Sequence, residues 1–79
     1  MAKKILVIED DNFLRELLAK KLKGGIYDIS EASDAEKALQ RMEEERPDLI
    51  LLDLLLPKIL RILDQSLRTK KNIMLLANC

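Results

Sequence analysis

Two apolar patterns alternate along the 79-residue chain. The first is a short continuous run. Ile5-Leu6-Val7-Ile8 and Leu49-Ile50-Leu51-Leu52 are each closed by acids, and read as strands buried on both faces. The second is helical spacing. Phe13, Leu14, Leu17, Leu18 and Leu22 recur at intervals of three and four, with Asp11 or Asn12 able to cap the helix and Gly24 able to end it. Residues 26–29 predict a second, weaker strand. Ser33-Asp34-Ala35-Glu36 has the form of a capping box with Ser33 and Glu36 as its pair, and Ala35, Ala38, Leu39 and Met42 follow on one stripe. Pro47 stops that helix. Residues 49–53 form the third strand, Ile59, Leu60, Leu63 and Leu67 a third helix, and residues 73–77 a fourth strand. This order predicts parallel strands joined by right-handed helical crossovers, an open α/β sheet with helices on both faces. Residues 1–79 read as one domain without repeats or linkers.

Composition narrows the function classes. Fourteen basic and fourteen acidic residues balance, and no block of like charge suggests a nucleic-acid arm. Phe13 and Tyr27 are the only aromatics, which leaves little on which to stack bases, so no direct nucleic-acid contact is expected. Cys79 is the single cysteine and histidine is absent, which excludes an internal disulfide and a metal site built from thiolates and imidazoles. The apolar run near the start, residues 5–8, is too short for a signal peptide. Residues 49–56 are too few to span a bilayer and are interrupted by Asp53. A cytoplasmic protein off the membrane is the expectation.

Asp53 is the anomaly, a carboxylate inside the run DLILLDLLLP. An ionised carboxylate in a dry core is costly unless something meets it. Ligands of open parallel sheets sit beyond the carboxyl ends of the strands. Glu9 and Asp10 end the first strand and Asp53 ends the third, so adjacent strands would bring three carboxylates into one pocket. Oxygen-only ligands with room for water suit Mg²⁺. Taken alone, Glu9-Asp10-Asp11 reads better as an acidic turn at the positive end of a helix dipole; the lesser alternative for Asp53 is a strand end facing water. Together they favour the pocket.

The segments KKILVIEDDNFLRELL and PDLILLDLLLP resemble the receiver domain of two-component response regulators. The likeness runs from Lys3 to Pro57 and is vaguer from Lys58 to Cys79. It implies a flavodoxin-like, CheY-like fold. It also implies a phosphorelay in which Asp53 accepts a phosphoryl group from a histidine kinase or phosphotransfer protein. Glu9 and Asp10 would hold Mg²⁺ directly or through water, with the backbone carbonyl of Leu55 as a further ligand. Such a domain at most catalyses its own phosphorylation and is not an enzyme in the ordinary sense.

The pattern then departs from the family. Pro57 runs straight into Lys58-Ile59-Leu60, where a Gly-containing loop is usual. Leu76, Ala77 and Asn78 occupy the region of a switching Ser or Thr. The fifth strand, with its phosphate-binding lysine, and the fifth helix have no counterpart; Lys58 is a remote substitute. These departures carry a second expectation, a truncated or engineered receiver fragment that does not signal and associates with itself as a homodimer or larger assembly. A flavin protein on the same fold is set aside, because the chain lacks a phosphate-cradling loop and stacking aromatics.

Overall fold

The computed structural model describes residues 3–53, 56–70 and 72–76. Seven elements alternate: β1 (Lys4–Ile8), α1 (Asn12–Lys23), β2 (Asp28–Ala32), α2 (Ala35–Glu45), β3 (Leu49–Asp53), α3 (Ile59–Thr69) and β4 (Asn72–Leu76). The strands form one parallel sheet in the order β2-β1-β3-β4, as the alternating pattern predicts.

The two central strands, β1 and β3, are those with continuous apolar runs, and both are buried on both faces. Their side chains divide with the period of two that a strand imposes. Leu6, Ile8, Ile50 and Leu52 pack on one face beneath Ala35, Ala38 and Met42 of α2 and Ile62 of α3. Ile5, Val7 and Leu51 pack on the other, with Leu18 and Leu22 of α1. At the start of the sheet Asp48 clamps the two strands together. Its N–H donates to the Lys4 carbonyl at 2.7 Å, and its carboxylate accepts the Lys4 N–H at 2.8 Å. The β1–β3 register that follows pairs Ile8 with Leu52, and on the other side of β1 Ile8 pairs with Ala32.

Several sequence expectations shift. The second strand begins at Asp28, not at residue 26, and Ile26 and Tyr27 are exposed. A lone apolar pair before an edge strand is weak evidence of burial. On α1, Phe13 and Leu17 face outward, leaving Leu18, Ala19 and Leu22 to meet the sheet. The cap of α2 is Asp34, whose carboxylate accepts the Lys37 N–H at 2.8 Å. Ser33 instead receives the Lys37 ammonium at 3.3 Å, and Glu36 lies beside Lys58, which precedes α3, and Arg61 of α3 at 3.6 and 4.0 Å. A charged acceptor at the positive end of the helix outcompetes the hydroxyl one position earlier. On α3, Ile62 and Ser66 turn inward while Leu60 and Leu67 are 75% and 80% exposed. β4 occupies 72–76, one residue earlier than expected, and Ala77 lies outside the described residues.

Candidate functional site

β1 ends at Ile8 and α1 begins at Asn12, so Glu9 and Asp10 fill a short link held tightly at both ends. The Glu9 N–H donates to the Ala32 carbonyl at 3.2 Å and extends the β1–β2 ladder by one residue. Asp11 caps α1, its Oδ1 accepting the Leu14 N–H at 3.1 Å, and its own N–H donates to Glu9 Oε1 at 3.1 Å. Because Ile8 is level with Leu52, the next residues, Glu9 and Asp53, leave adjacent strands at the same height.

The three acids therefore meet. One carboxylate oxygen from each of Glu9, Asp10 and Asp53 lies within 4.8 Å of the others. Glu9 and Asp53 are 1% and 2% exposed, while Asp10 is open to solvent. Like charges this close repel, and a divalent cation offsets that repulsion. The donors are all oxygen, and the exposed side leaves room for water. Three carboxylates plus water suit the octahedral shell of Mg²⁺ better than the larger, oxygen-richer shell of Ca²⁺. The donor set fits the metal. Leu55, whose carbonyl the family resemblance adds to the ligands, lies outside the described residues. Leu56 is buried, and its N–H donates to the Asp53 carbonyl at 3.1 Å.

Beside Asp10 opens a cleft of about 390 Å³, lined also by Ser33, Glu36, Leu56, Pro57 and Lys58. Lys58 thus stands at the mouth of the acidic site, but its exposed ammonium lies 3.6 Å from Glu36. A larger cleft of about 560 Å³ lies among Arg15, Glu31, Lys37, Arg41 and Glu44 and includes none of the three acids. Size and chemistry separate here, and the chemistry points to the smaller cleft. At the end of β4, Leu76 is level with Asp53, and Ala77 and Asn78 lie outside the described residues.

One residue at this site escapes the apolar pattern altogether. Arg15 reads in the sequence as part of the polar face of α1. Its Nη1 donates to the Glu9 carbonyl at 3.0 Å and its Nη2 to Asn12 Oδ1 at 2.7 Å, while Nε lies 3.5 Å from Glu31 Oε1. The only signal available was its place in the first helical turn, where a long side chain reaches back over the preceding loop.

Residues 5–74 match the family model described as the response regulator receiver domain. The chain is 49% identical over 59 residues to the alkaline phosphatase synthesis transcriptional regulatory protein PhoP of Bacillus subtilis, a match covering 75% of this chain and 25% of that protein. It is 46% identical over 57 residues to the DNA-binding response regulator MtrA of Mycolicibacterium smegmatis, covering 72% and 25%. The chain thus spans about a quarter of the length of these curated relatives. Among solved structures, the signal receiver domain of a putative Luxo repressor protein from Vibrio parahaemolyticus superimposes with a TM-score of 0.86 at 27% identity, over 98% of this chain and 62% of that one. A response regulator receiver protein from Pseudomonas putida gives 0.83 at 25% identity, over 98% and 69%.

Proposed function

Because the chain belongs to the response regulator receiver domain family, we propose that it is a phosphoacceptor, with Asp53 taking a phosphoryl group from a phosphohistidine of a histidine kinase or phosphotransfer protein. The observation that carries this reading is the meeting of Glu9, Asp10 and Asp53 within 4.8 Å at the carboxyl end of the sheet. Glu9, Asp10, Asp53 and the Leu55 carbonyl are the proposed Mg²⁺ ligands. When bound, the ion supplies positive charge against the phosphoryl oxygens. The chain's own residues do the rest. An Asp53 carboxylate oxygen attacks phosphorus in line, the new O–P bond forms as the P–N bond to the donor imidazole breaks, and the leaving nitrogen takes the electron pair. Ile8 and Leu52, which precede Glu9 and Asp53 on their strands, are buried, as is Leu56, whose N–H meets the Asp53 carbonyl. The product is a modification of the chain itself, so the reading is of a self-modifying acceptor and not of a turnover enzyme.

This reading places the chain in the cytoplasm with its phosphodonor, and it assigns the chain no nucleic-acid contact of its own. The even balance of charge supports that assignment. No helix among the described residues is long and apolar enough to cross a membrane. The test is intact mass after incubation with acetyl phosphate and Mg²⁺. The parent should gain one phosphoryl group and Asp53→Asn none; a gain retained by Asp53→Asn, or no gain by the parent, would refute the proposal.

A second property is supported by β4. Its Met74 and Leu75 are 53% and 46% exposed, although they align with buried Leu51 and Leu52 of β3. Among the described residues β4 is the outermost strand on its side of the sheet, and apolar side chains on both faces of such a strand favour self-association of the 79-residue chain.

A further inference from the structure

Three carboxylates in one pocket create a mechanical difficulty. Two of them, Glu9 and Asp10, are neighbours on a short link, and their repulsion from Asp53 pushes that link away from the sheet. Something must hold it without cancelling the charge that a cation needs. An arginine paired with one of the carboxylates would hold the link and spoil the site.

We propose that Arg15 is the positioning residue of the acidic pocket, bracing the Glu9–Asp10 link through the backbone while leaving the carboxylates to the metal. The inference rests on the metal-site reading above. Its evidence is where the guanidinium goes. Nη1 donates to the carbonyl of Glu9, not to its carboxylate, at 3.0 Å. Nη2 donates to the Asn12 side chain at 2.7 Å, at the start of α1. Nε faces Glu31 of β2 at 3.5 Å. One planar fork thereby ties the end of β1, the first turn of α1 and the neighbouring strand. Its positive charge is spent on Glu31, which is not one of the three clustered acids.

Local geometry makes the brace rigid. The Arg15 N–H donates to the Asp11 carbonyl at 2.9 Å, so the residue that reaches back is anchored in the turn that Asp11 caps. Its side chain is only 14% exposed, which limits the alternative rotamers open to it. The Glu9 carboxylate is held separately by the Asp11 N–H. Main chain and side chain of Glu9 are thus fixed by different donors. Lysine could satisfy one of the three acceptors but cannot present a fork to all of them.

Residues that orient metal ligands from behind typically alter affinity by about 10- to 100-fold when replaced. Amide NMR titration with Mg²⁺ on the parent, Arg15→Gln, Arg15→Lys and Asp10→Asn tests the role, run at a temperature where circular dichroism shows each variant folded. Arg15→Gln and Arg15→Lys should each weaken Mg²⁺ binding about tenfold, with the Glu9 and Asp10 amides shifted before metal is added. A merely structural arginine would lower the melting temperature and leave the affinity of the folded protein unchanged; that result overturns the inference. So does parent-like binding by Arg15→Lys, which would mean that charge alone suffices, and this arm decides the matter if Arg15→Gln does not fold. If Asp10→Asn binds like the parent, the metal-site reading has failed, and the brace falls with it. If Asp10→Asn weakens binding and the Arg15 variants do not, the brace alone has failed.

Discussion

At the scale of single residues, the acidic pocket and the entry to α3 both carry unfavourable terms. Asp53 shares its pocket with two other carboxylates, and removing one like charge relieves that repulsion. In the presence of a chelator, Asp53→Asn should therefore stabilise the chain by on the order of 1 kcal/mol. Added Mg²⁺ should then stabilise the parent more than the variant, since only the parent keeps all three ligands. Denaturant titrations with and without metal read both effects, and a destabilised variant in chelator would contradict the crowding. The second term is backbone strain. Lys58 sits at φ 62°, ψ 27°, left-handed, at the N-cap of α3 with no side-chain cap hydrogen bond. A non-glycine residue there costs about 1–2 kcal/mol, of which glycine's extra freedom in the unfolded chain returns a part. Lys58→Gly should raise stability by roughly 0.5–1 kcal/mol. The exposed pair with Glu36 is worth too little to reverse this. A less stable Lys58→Gly would show that the ion pair outweighs the strain.

At the scale of elements, what the sequence made legible depended on how strongly each signal was over-determined. β1 and β3 announced themselves by continuous apolar runs because both faces are covered, and the acids that close those runs are the ones the fold brings together. Asp53 stood out because a carboxylate beside Leu52 needs a reason. Edge elements were read less well. β2 lies at a sheet margin and is only partly buried, so nothing in its pattern separated Asp28 from Ile26 as its start. α3 was read in part: Ile59 and Leu63 of its predicted stripe pack against the core, but Leu60 and Leu67 face outward, and the fully buried positions are Ile62 and Ser66. The α2 cap was misplaced by one residue because Ser33 and Asp34 both satisfy the rule, and only backbone geometry decides between them. That correction is testable. Asp34→Ala should cost about 1 kcal/mol through the lost cap, while Ser33→Ala should change stability little. Thermal denaturation of the two variants would reverse the assignment if Ser33→Ala proved the more damaging. Arg15 was invisible to pattern, because its importance lies in a reach across the loop that no periodicity encodes.

At the scale of the whole molecule, the sheet is asymmetric. β2 and β4 are its outer strands, and β4 pairs with β3 on one side only among the described residues. Met74 and Leu75 project from opposite faces of that edge, unprotected by charge or proline. The 79-residue chain should therefore form dimers or larger assemblies that dissociate on dilution, and Met74→Lys, which puts a charge on the edge, should shift the balance toward monomer. Light scattering over a dilution series checks both, and a parent that stays monomeric at high concentration would contradict the proposed edge pairing.

The central claim is that Glu9, Asp10 and Asp53 work as one cation-dependent phosphoacceptor site, and the most direct test couples its two halves. Intact mass gives the rate at which acetyl phosphate modifies the chain across a Mg²⁺ series, and a separate titration gives the Mg²⁺ affinity. A single site requires half-maximal modification at the metal concentration that half-fills the pocket, with both midpoints moving upward together in Asp10→Asn. Modification that is independent of Mg²⁺, or a midpoint that stays put when Asp10→Asn weakens binding, would separate the metal from the acceptor and contradict the claim.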